Sequence, residues 1–400
     1  MPTLNARRIA VKVTPSAEKA IRNNHPWLFT NAITSVSHGG QAGDIAIVFD
    51  RKRRFLAAGL YDPDSPIRVK LLQHLQQAQI DSAWFSKTIT AALALRQPLT
   101  DSIDTTGYRC INGENDSLPG LIVDYYARVA VVKLYSTIWL PHLTDILNIL
   151  LAQLPISQIV IRLSRRLQAL ETGLSDGQLI YGPPITAPIR FQENGLSFEA
   201  NVIKGQKTGH FLDQRDNRAK VRDLSQGKMV LDLFAATGGF SLYAAAGGAK
   251  QVVSVDLSRP TLAVAERNFA HNSQLTAVNQ CNHKLIAADV FDLLQQMVKQ
   301  RRRFDLIVVD PPAFAQKEAD VPQALRAYTK LAKLASQLVA RGGQLVMASC
   351  SSRVSAEQFF STVQRAVPSS TRTFAKTGHA IDHPISFKEG AYLKCIYFNF

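Results

Sequence analysis

The chain has 400 residues, and its 46 Lys and Arg against 31 Asp and Glu give a formal net charge of +15 and a pI near 9.8. This excess of positive charge favours a polyanionic partner, while 46% hydrophobic residues are enough to bury the cores of two or three domains. The start lacks the apolar core of a secretory signal and no apolar run reaches membrane-spanning length, so we expect a cytoplasmic protein without a membrane partner.

Residues 1–76 contain short apolar and β-branched runs separated by Gly, Pro, Asp and Ser, which predicts a small β domain. Strands are predicted at 9–13, 44–49, 55–59 and 67–72, and a short helix at 16–23. Segments 24–29 and 59–66 resemble the PUA domain that precedes the catalytic part of one bacterial rRNA methyltransferase family. This resemblance implies contact with RNA.

Residues 77–190 predict a second, central α/β (EEHEE-like) domain. Apolar residues at helical spacing predict a linking helix over 80–95, and the following runs predict a β-β-β-α-β order. Segment 112–121 is rich in Gly, Asn, Asp and Pro, which predicts a turn. It resembles the Gly-Glu-x-Asp-x-Leu-Pro-Gly-Leu element of the same family's middle domain, and no catalytic role is assigned to it.

From residue 191 onwards the sequence predicts a doubly wound α/β sheet. Residues 229–249 run from an apolar strand through a small-residue turn into an Ala-rich helix, as in the first unit of such a sheet. The turn lacks both the dinucleotide fingerprint and the lysine of a P-loop. Gly238 and Gly239 have no Cβ, so we expect a ligand to lie against the backbone there.

Four strand-like runs in this region end in an acid, at Asp232, Asp256, Asp289 and Asp310. One such acid is usually only a helix N-cap. Four of them at the same sheet edge, beside a glycine turn, indicate a binding site, because ligands of open α/β sheets lie over the carboxyl ends of the strands.

This pattern resembles the cofactor-binding core of class I S-adenosylmethionine-dependent methyltransferases. The expected fold is therefore α/β, with a Rossmann-like class I methyltransferase domain over 191–400, preceded by the PUA domain and the central α/β domain. The resemblance implies S-adenosylmethionine as cofactor, with Asp256 at the ribose hydroxyls, Asp289 at the adenine amine and Asp232 facing the methionine amino group. Further cofactor contacts are expected at Phe234, Ala236, Gly238, Gly239, Leu257, Val290 and Asp310.

Segment 205–218 matches the Lys-Thr-Gly-x-x-Leu-Asp-Gln-Arg element of the same family nearly residue for residue. In that family the element covers the cofactor. The resemblance thus implies that Lys207, Thr208, Gln214 and Arg215 contact it. The residues alone indicate only a glycine turn and a helix start capped by Asp213.

Residues 310–314, Asp-Pro-Pro-Ala-Phe, resemble the Asp/Asn-Pro-Pro motif of nucleic-acid methyltransferases. The prolines Pro311 and Pro312 make the loop rigid. Asp310 and the loop carbonyls could then bond the Watson–Crick edge of an extruded base. Phe314 either stacks on that base or packs in the core.

The four cysteines are scattered without a Cys-x-x-Cys pair, so neither a disulfide framework nor a metal site is expected. Cys350 follows a predicted strand, and its Ser-Cys-Ser context resembles the nucleophile motif of RNA cytosine-C5 methyltransferases. A thiolate adding to carbon 6 of cytosine would activate carbon 5. The alternative is a small buried thiol, which is the interpretation for Cys110, Cys281 and Cys395.

Many relatives carry a second cysteine after the two prolines, where this chain has Ala313 and Phe314. One cysteine would therefore act alone, as in the PUA-containing rRNA subfamily, with Asp310 orienting or protonating the base. The general base is not identified from the sequence.

The resemblance over the whole chain to the bacterial large-subunit rRNA cytosine-C5 methyltransferase family implies methylation of carbon 5 of one cytosine in 23S rRNA. One alternative is methylation of a guanine at N2 or N7, which needs no covalent cysteine. The other is an RNA-binding protein that retains a methyltransferase fold without turnover. The expected partner is 23S rRNA, and assembly as a homodimer is left open.

Overall fold

The computed structural model describes residues 7–400. Within this range, contacts define two compact units. The first contains the chain up to Gln192 with 200–210 and 381–388, and the second contains 193–199, 211–380 and 389–400. The predicted domain 191–400 includes 200–210 and 381–388, whereas the contacts assign both segments to the first unit. The domain boundaries at 76 and 190 stay a prediction.

The first unit begins with a mixed β-sheet of strand order β2-β6-β5-β4-β1-β3. Exposed and buried residues alternate along β1, so one face of this strand packs in a core. The predicted strands and helix are present, and two short strands, β2 and β3, add to them. The elements are β1 Arg8–Val13, α1 Pro15–Arg22, β2 Trp27–Phe29, β3 Ile33–Val36, β4 Ile45–Phe49, β5 Phe55–Tyr61 and β6 Ile67–His74.

The central region follows the predicted β-β-β-α-β order and adds a further strand, β11. Its sheet has the order β11-β10-β9-β8-β7. The core around Phe85 and Trp139 also contains Ile45, Leu60 and Leu72 of the N-terminal sheet, so 1–76 and 77–190 share a core. The elements are α2 Ser82–Ala94, α3 Gln97–Thr100, β7 Gly107–Asn112, β8 Leu121–Tyr126, β9 Val129–Leu134, α4 Leu143–Gln153, β10 Gln158–Leu163, α5 Arg165–Gln168 and β11 Gln178–Tyr181.

Segment 112–121 makes long-range hydrogen bonds to other segments of the first unit. Asp116 accepts two hydrogen bonds from the buried Arg96 guanidinium, at 2.9 and 2.6 Å. Asn112 Nδ2 donates to the Pro384 carbonyl at 3.2 Å, and Ser386 N donates to a side-chain oxygen of the same segment. The motif therefore holds 381–388 against the first unit, and its polar residues have a structural use.

The second unit is a doubly wound α/β sheet of order β16-β15-β14-β17-β18-β20-β19, as the sequence predicts. The chain enters it through a hairpin of β12 Ile189–Glu193 and β13 Leu196–Ala200. Strands β14 to β18 pair in parallel, and β20 is antiparallel to β18. The elements are α6 Arg215–Asp223, β14 Met229–Leu233, α7 Gly239–Ala246, β15 Gln251–Asp256, α8 Arg259–Ala270, α9 Thr276–Gln280, β16 Asn282–Ala287, α10 Val290–Lys299, β17 Phe304–Val309, α11 Val321–Ser336, β18 Val339–Ser349, α12 Ala356–Ala366, β19 Arg372–Thr377 and β20 Lys394–Asn399.

From the sequence alone, residues 387–400 are predicted to form a closing hairpin, and this prediction is wrong. That segment supplies only β20 to the sheet, and the strand paired with it on the outer side is β19, earlier in the chain. Strand β19 is an edge strand with mostly exposed side chains, so it lacks the apolar alternation that marks a half-buried strand. Within residues 7–400, no helix is long and apolar enough to span a membrane.

Candidate active site

The parallel strands of the second unit end at one edge, and most of the predicted site residues lie there. Asp256 is the last residue of β15, and Asp310 directly follows β17. Cys350 directly follows β18, which runs parallel to β17. Asp232 lies one residue before the end of β14. The topology thus brings these acids and the cysteine to the carboxyl edge where open α/β sheets bind ligands.

The turn after β14 adopts an unusual backbone. Phe234, Ala236 and Gly238 have positive φ angles of 63°, 47° and 76°. Such angles cost about 1–2 kcal/mol for a residue with a Cβ, and they cluster at ligand sites. Asp256 stabilises this turn, because its Oδ2 accepts a hydrogen bond from Ala236 N at 3.0 Å.

Neighbouring protein atoms fill the space beside the two glycines of this turn, and the predicted contact of a ligand with their backbone stays a prediction. A Cβ on Gly238 would lie 2.7 Å from Ala265 Cβ. A Cβ on Gly239 would lie 3.0 Å from Arg218 Cδ. The absent side chains therefore allow close packing of α8 and of Arg218 against the turn.

Replacing Gly238 by alanine is expected to destabilise the protein more than replacing Gly195. Both residues have φ near 77°, at 76° and 78°, but a Cβ on Gly195 meets no atom within 4 Å. Gly195→Ala should cost about 1 kcal/mol of backbone strain, and Gly238→Ala about 1 kcal/mol more from overpacking. Urea unfolding of both variants measures the difference, and equal losses would contradict the packing explanation.

Asp232 is a buried carboxylate with unused hydrogen-bonding capacity. Its side chain is 1% exposed, and Oδ2 accepts a hydrogen bond from the Ser241 hydroxyl at 2.6 Å. Its Oδ1 is buried and has no hydrogen-bond partner among residues 7–400. Burial raises the pKa of Asp232 to about 7, and the charges of Asp310 and Asp256 also raise it. A cationic group placed beside Oδ1 would satisfy this oxygen and favour its ionised form.

Asp256 and Leu257 lie together at the end of β15. Asp256 is half-buried, and its Oδ1 accepts a hydrogen bond from Ser258 N at 2.9 Å. Leu257 is 73% exposed. An acid beside an exposed apolar side chain could hold a ribose and the ring attached to it, and both predicted contacts stay predictions.

Asp289 has the common structural role of an N-cap. Its Oδ1 accepts hydrogen bonds from Phe291 N and Asp292 N at the start of α10. Its side chain is exposed, whereas Val290 is 3% exposed and packs in the core. The predicted contact of Asp289 with the adenine amine stays a prediction, and any contact of Val290 would involve its backbone.

Lys207 and Thr208 belong to the first unit. Lys207 is exposed, and its carbonyl accepts a hydrogen bond from Lys133 Nζ at 3.3 Å. Thr208 is 1% exposed, and its hydroxyl donates to the Asp124 carboxylate and lies 3.1 Å from the Tyr126 hydroxyl. The Thr208 side chain is therefore held in a buried polar network. The predicted cofactor contacts of both residues stay predictions.

Gln214 and Arg215 belong to the second unit and are buried, at 4% and 1% exposure. Gln214 Oε1 accepts a hydrogen bond from Asn217 Nδ2 at 2.6 Å, and Arg215 Nε lies 3.7 Å from a Glu193 carboxylate oxygen. Their predicted cofactor contacts are likewise untested. Asp213 is not the cap of a helix: its Oδ2 accepts a hydrogen bond from the Tyr392 hydroxyl at 2.8 Å.

The loop after β17 presents a rigid backbone to Cys350. Pro311 is buried, Pro312 is exposed, and Asp310 is half-buried. The Phe314 ring lies 5.2 Å from the Tyr328 ring and contacts the core of the second unit. The core alternative for Phe314 is thus present in this structure, and its stacking on a base stays a prediction.

Cys350 meets this loop directly. Its thiol is half-buried and donates to the Pro311 carbonyl, with Sγ 3.8 Å from the oxygen. Two other cysteines, Cys110 and Cys395, are fully buried, and burial raises the pKa of both thiols. Burial also raises the pKa of the half-buried Cys281 to about 11. Thiols with such raised pKa values are poor nucleophiles near neutral pH.

Buried polar residues support the turn that carries Cys350, and sequence reasoning missed them. The Tyr328 hydroxyl lies 2.8 Å from the Ser349 hydroxyl and 3.0 Å from the Ser351 hydroxyl. Lys394 Nζ donates to the Ser351 carbonyl at 2.7 Å. No motif marks Tyr328 or Lys394, because both reach the turn from distant parts of the chain. In the described range, no group of three or more His, Cys, Asp or Glu could hold a metal ion.

Comparisons with known proteins agree with this architecture. A family model described as S-adenosylmethionine-dependent methyltransferase matches residues 121–392, and one described as a PUA-like domain matches residues 11–74. A solved structure of a candidate methyltransferase complexed with SAH superposes with a TM-score of 0.84 at 22% identity. The superposition covers 98% of this chain and 100% of the chain of that structure. Fold and site thus define a class I methyltransferase with a PUA-like domain, and its cofactor is S-adenosylmethionine.

Relatives with curated names identify a particular family within this class of methyltransferases. A Deinococcus radiodurans protein named ribosomal RNA large subunit methyltransferase is 47% identical over 405 residues, which cover 99% of this chain and 98% of that protein. A Shewanella frigidimarina protein named ribosomal RNA large subunit methyltransferase I is 37% identical, over 96% of this chain and 98% of that protein. The chain belongs to this methyltransferase family.

Proposed function

We propose that the protein methylates carbon 5 of one cytosine in 23S rRNA through a covalent adduct with Cys350. The observation that carries this proposal is the contact between Cys350 Sγ and the Pro311 carbonyl at 3.8 Å. This contact places the proposed nucleophile next to a loop that is suited to bind the edge of a base. The names of the relatives support large-subunit rRNA as the substrate.

The chemistry explains why a cysteine is needed. Carbon 5 of cytosine is not nucleophilic. Addition of the Cys350 thiolate forms a bond between Sγ and carbon 6 and moves the double-bond electrons to carbon 5, while Asp310 donates a proton to the base or orients it. The bound cofactor would supply the methyl group, which forms a bond to carbon 5 as its bond to the sulfonium sulfur breaks and S-adenosylhomocysteine is left. Loss of the carbon-5 proton to a base then restores the double bond and releases the thiolate.

The residues at the sheet edge suit four polar parts of the cofactor. Asp232, with its buried unpartnered Oδ1, would hold the methionine ammonium. Asp256 would hold the ribose hydroxyls beside Leu257, and Asp289 would accept from the adenine amine. The backbone from Phe234 to Gly239 would line the methionine carboxylate. No phosphate cradle is required, since the cofactor carries no phosphate.

The remaining predicted residues would complete the site. The PUA-like domain and the net charge of +15 suit binding to a long RNA. Pro311, Pro312 and Phe314 would contact the extruded base. Segment 205–218 would cover the cofactor, with contacts from Lys207, Thr208, Gln214 and Arg215, as the family resemblance implies. Cys350 would act without a second cysteine, since Ala313 and Phe314 stand after the prolines where many relatives carry one.

Guanine methylation at N2 or N7 is the second candidate, because the Asp310 loop suits either base. An inactive RNA-binding protein is the third. The test incubates purified protein and S-adenosylmethionine with 23S rRNA from a strain that lacks the gene, followed by nuclease digestion and mass spectrometry. We expect 5-methylcytidine at one position. Methylguanosine would support the second candidate, and cofactor binding without any methylation would contradict turnover on this RNA.

A further inference from the structure

Lys394 is a buried lysine directly behind the proposed nucleophile. It is the first residue of β20, pairs with Ser349 across the sheet and is 3% exposed. Its Nζ donates to the carbonyl oxygens of Ser351 and Val354, each at 2.7 Å. Both carbonyls belong to the turn that follows Cys350. The lysine therefore ties the nucleophile's turn to the adjacent antiparallel strand.

The electrostatic setting of Lys394 is unusual for a buried ammonium. Within residues 7–400 it forms no salt bridge with a carboxylate, although buried charges are normally paired. Burial lowers the pKa of Lys394 to about 8, and the ionisable group that raises it is Cys350. Coulombic coupling is mutual. A thiolate at Cys350 that favours the ammonium is itself favoured by that ammonium.

We propose that Lys394 is a positioning residue for Cys350: its ammonium favours the thiolate, and its hydrogen bonds hold the turn that presents Sγ to the Asp310 loop. This inference rests on the proposed role of Cys350 as nucleophile. The coupling between Lys394 and Cys350 can be measured separately from methylation, because it exists in the free protein and involves no RNA.

The groups around Cys350 from each neighbouring element support this assignment. The loop after β17 contributes the Pro311 carbonyl, which opposes a negative sulfur, and the Asp310 carboxylate, whose charge acts together with that of Cys350 on Tyr328. Helix α11 contributes the neutral Tyr328 hydroxyl, whose pKa is raised by burial and to a lesser degree by Cys350 and Asp310. Strand β20 contributes Lys394. Lys394 is thus the cation among these neighbours, and it offsets the groups that disfavour the thiolate.

The test is the pH dependence of iodoacetamide alkylation at Cys350 in the full-length protein, followed by mass spectrometry of the Cys350 peptide. Lys394→Met removes the charge and the two hydrogen bonds and keeps most of the side-chain length. We expect its alkylation midpoint to rise by about one pH unit, which corresponds to about tenfold less thiolate near neutral pH. The methylation kcat should fall by a similar factor at unchanged KM for RNA, and Lys394→Arg should restore much of both.

Two controls separate electrostatics from general damage. Alkylation of Cys281 in the same sample should keep its profile, and Lys376→Met, which removes an exposed charge from β19, should leave Cys350 unchanged. An unchanged Cys350 midpoint in a folded Lys394→Met protein would overturn the proposal. If this variant does not fold, the reciprocal measurement applies. In Cys350→Ala protein, the NMR titration of Lys394 should shift to lower pH, and an unshifted titration would equally overturn it.

These readouts distinguish the two proposals. Full methylation by Cys350→Ala protein would refute the covalent function, whatever the alkylation profile. A shifted alkylation profile requires only the coupling of Lys394 with Cys350, and its absence would refute the positioning role even if Cys350 proved essential.

Discussion

Replacing Cys350 by alanine is expected to reduce methyl transfer to 23S rRNA by about 10³-fold or more, because the proposed covalent activation of carbon 5 would have no substitute. The affinity for cofactor should stay within about twofold, since the turn after β14 and the acids of β14 and β15 are unchanged. Single-turnover transfer of a radiolabelled methyl group measures the first quantity, and calorimetric titration with S-adenosylhomocysteine measures the second.

Cys281→Ala is the matched control for this experiment. Both thiols are half-buried, but Cys281 has a pKa raised by burial to about 11 and lies in the segment before β16. Its replacement should leave transfer unchanged. Full activity in the Cys350→Ala protein would instead eliminate the covalent route and favour methylation of a guanine.

RNA containing 5-fluorocytidine should convert the same step into a stable product. Fluorine replaces the proton that must leave carbon 5, so the bond between Sγ and carbon 6 cannot be released after methylation. Wild-type protein should form an RNA adduct that survives denaturing electrophoresis and maps to the Cys350 peptide. The Cys350→Ala protein should form none, and an adduct at another residue would reassign the nucleophile.

The main features of the second unit follow from local sequence patterns. Apolar runs that end in acids predict buried parallel strands, and parallel pairing forces those ends to one edge. The sequence therefore predicts that Asp232, Asp256, Asp310 and Cys350 share an edge, and the topology confirms it. The family model also confirms the PUA-like domain. This domain could be predicted because its short strands and turns are local sequence signals as well.

The features that sequence reasoning missed depend on long-range packing. Nothing near Gly238 shows that Ala265 of α8 fills the space beside it. The turn residues of 112–121 give no sign of their partners in 381–388. Lys394 looks like an ordinary strand residue until β20 is paired with β18. Each of these depends on which element packs on which, and local propensity carries no such information.

Asp232 illustrates how a binding site can cost stability in the free protein. Its folded-state pKa of about 7 lies above the ordinary value of 3.8. The free protein is therefore stabilised by the protonated carboxyl at low pH, and this contribution is lost as the pH rises through about 7. Asp232→Asn mimics the protonated form. The cofactor-free variant should melt at a higher temperature than wild type at pH 8, and this difference should shrink as the pH falls towards the ordinary value of 3.8.

The same substitution is expected to weaken cofactor binding by about 10- to 100-fold at pH 8, because a hydrogen bond between charged groups contributes about 1.5–3 kcal/mol. In wild-type protein the affinity for S-adenosylhomocysteine should also fall as the pH drops below about 7 and Asp232 takes up a proton. The variant should show no such dependence. Calorimetric titrations at several pH values between about 5.5 and about 8 measure both effects, because this range spans the Asp232 pKa of about 7.

Glu357→Gln is the control for this pair of measurements, since it neutralises an exposed acid at the start of α12. It should leave affinity, melting temperature and pH dependence as in wild type. An Asp232→Asn protein that binds S-adenosylhomocysteine as tightly as wild type at pH 8 would place the ligand's ammonium elsewhere. The buried Oδ1 would then need another explanation, and a gain in stability without a loss of affinity would mark Asp232 as a purely structural group.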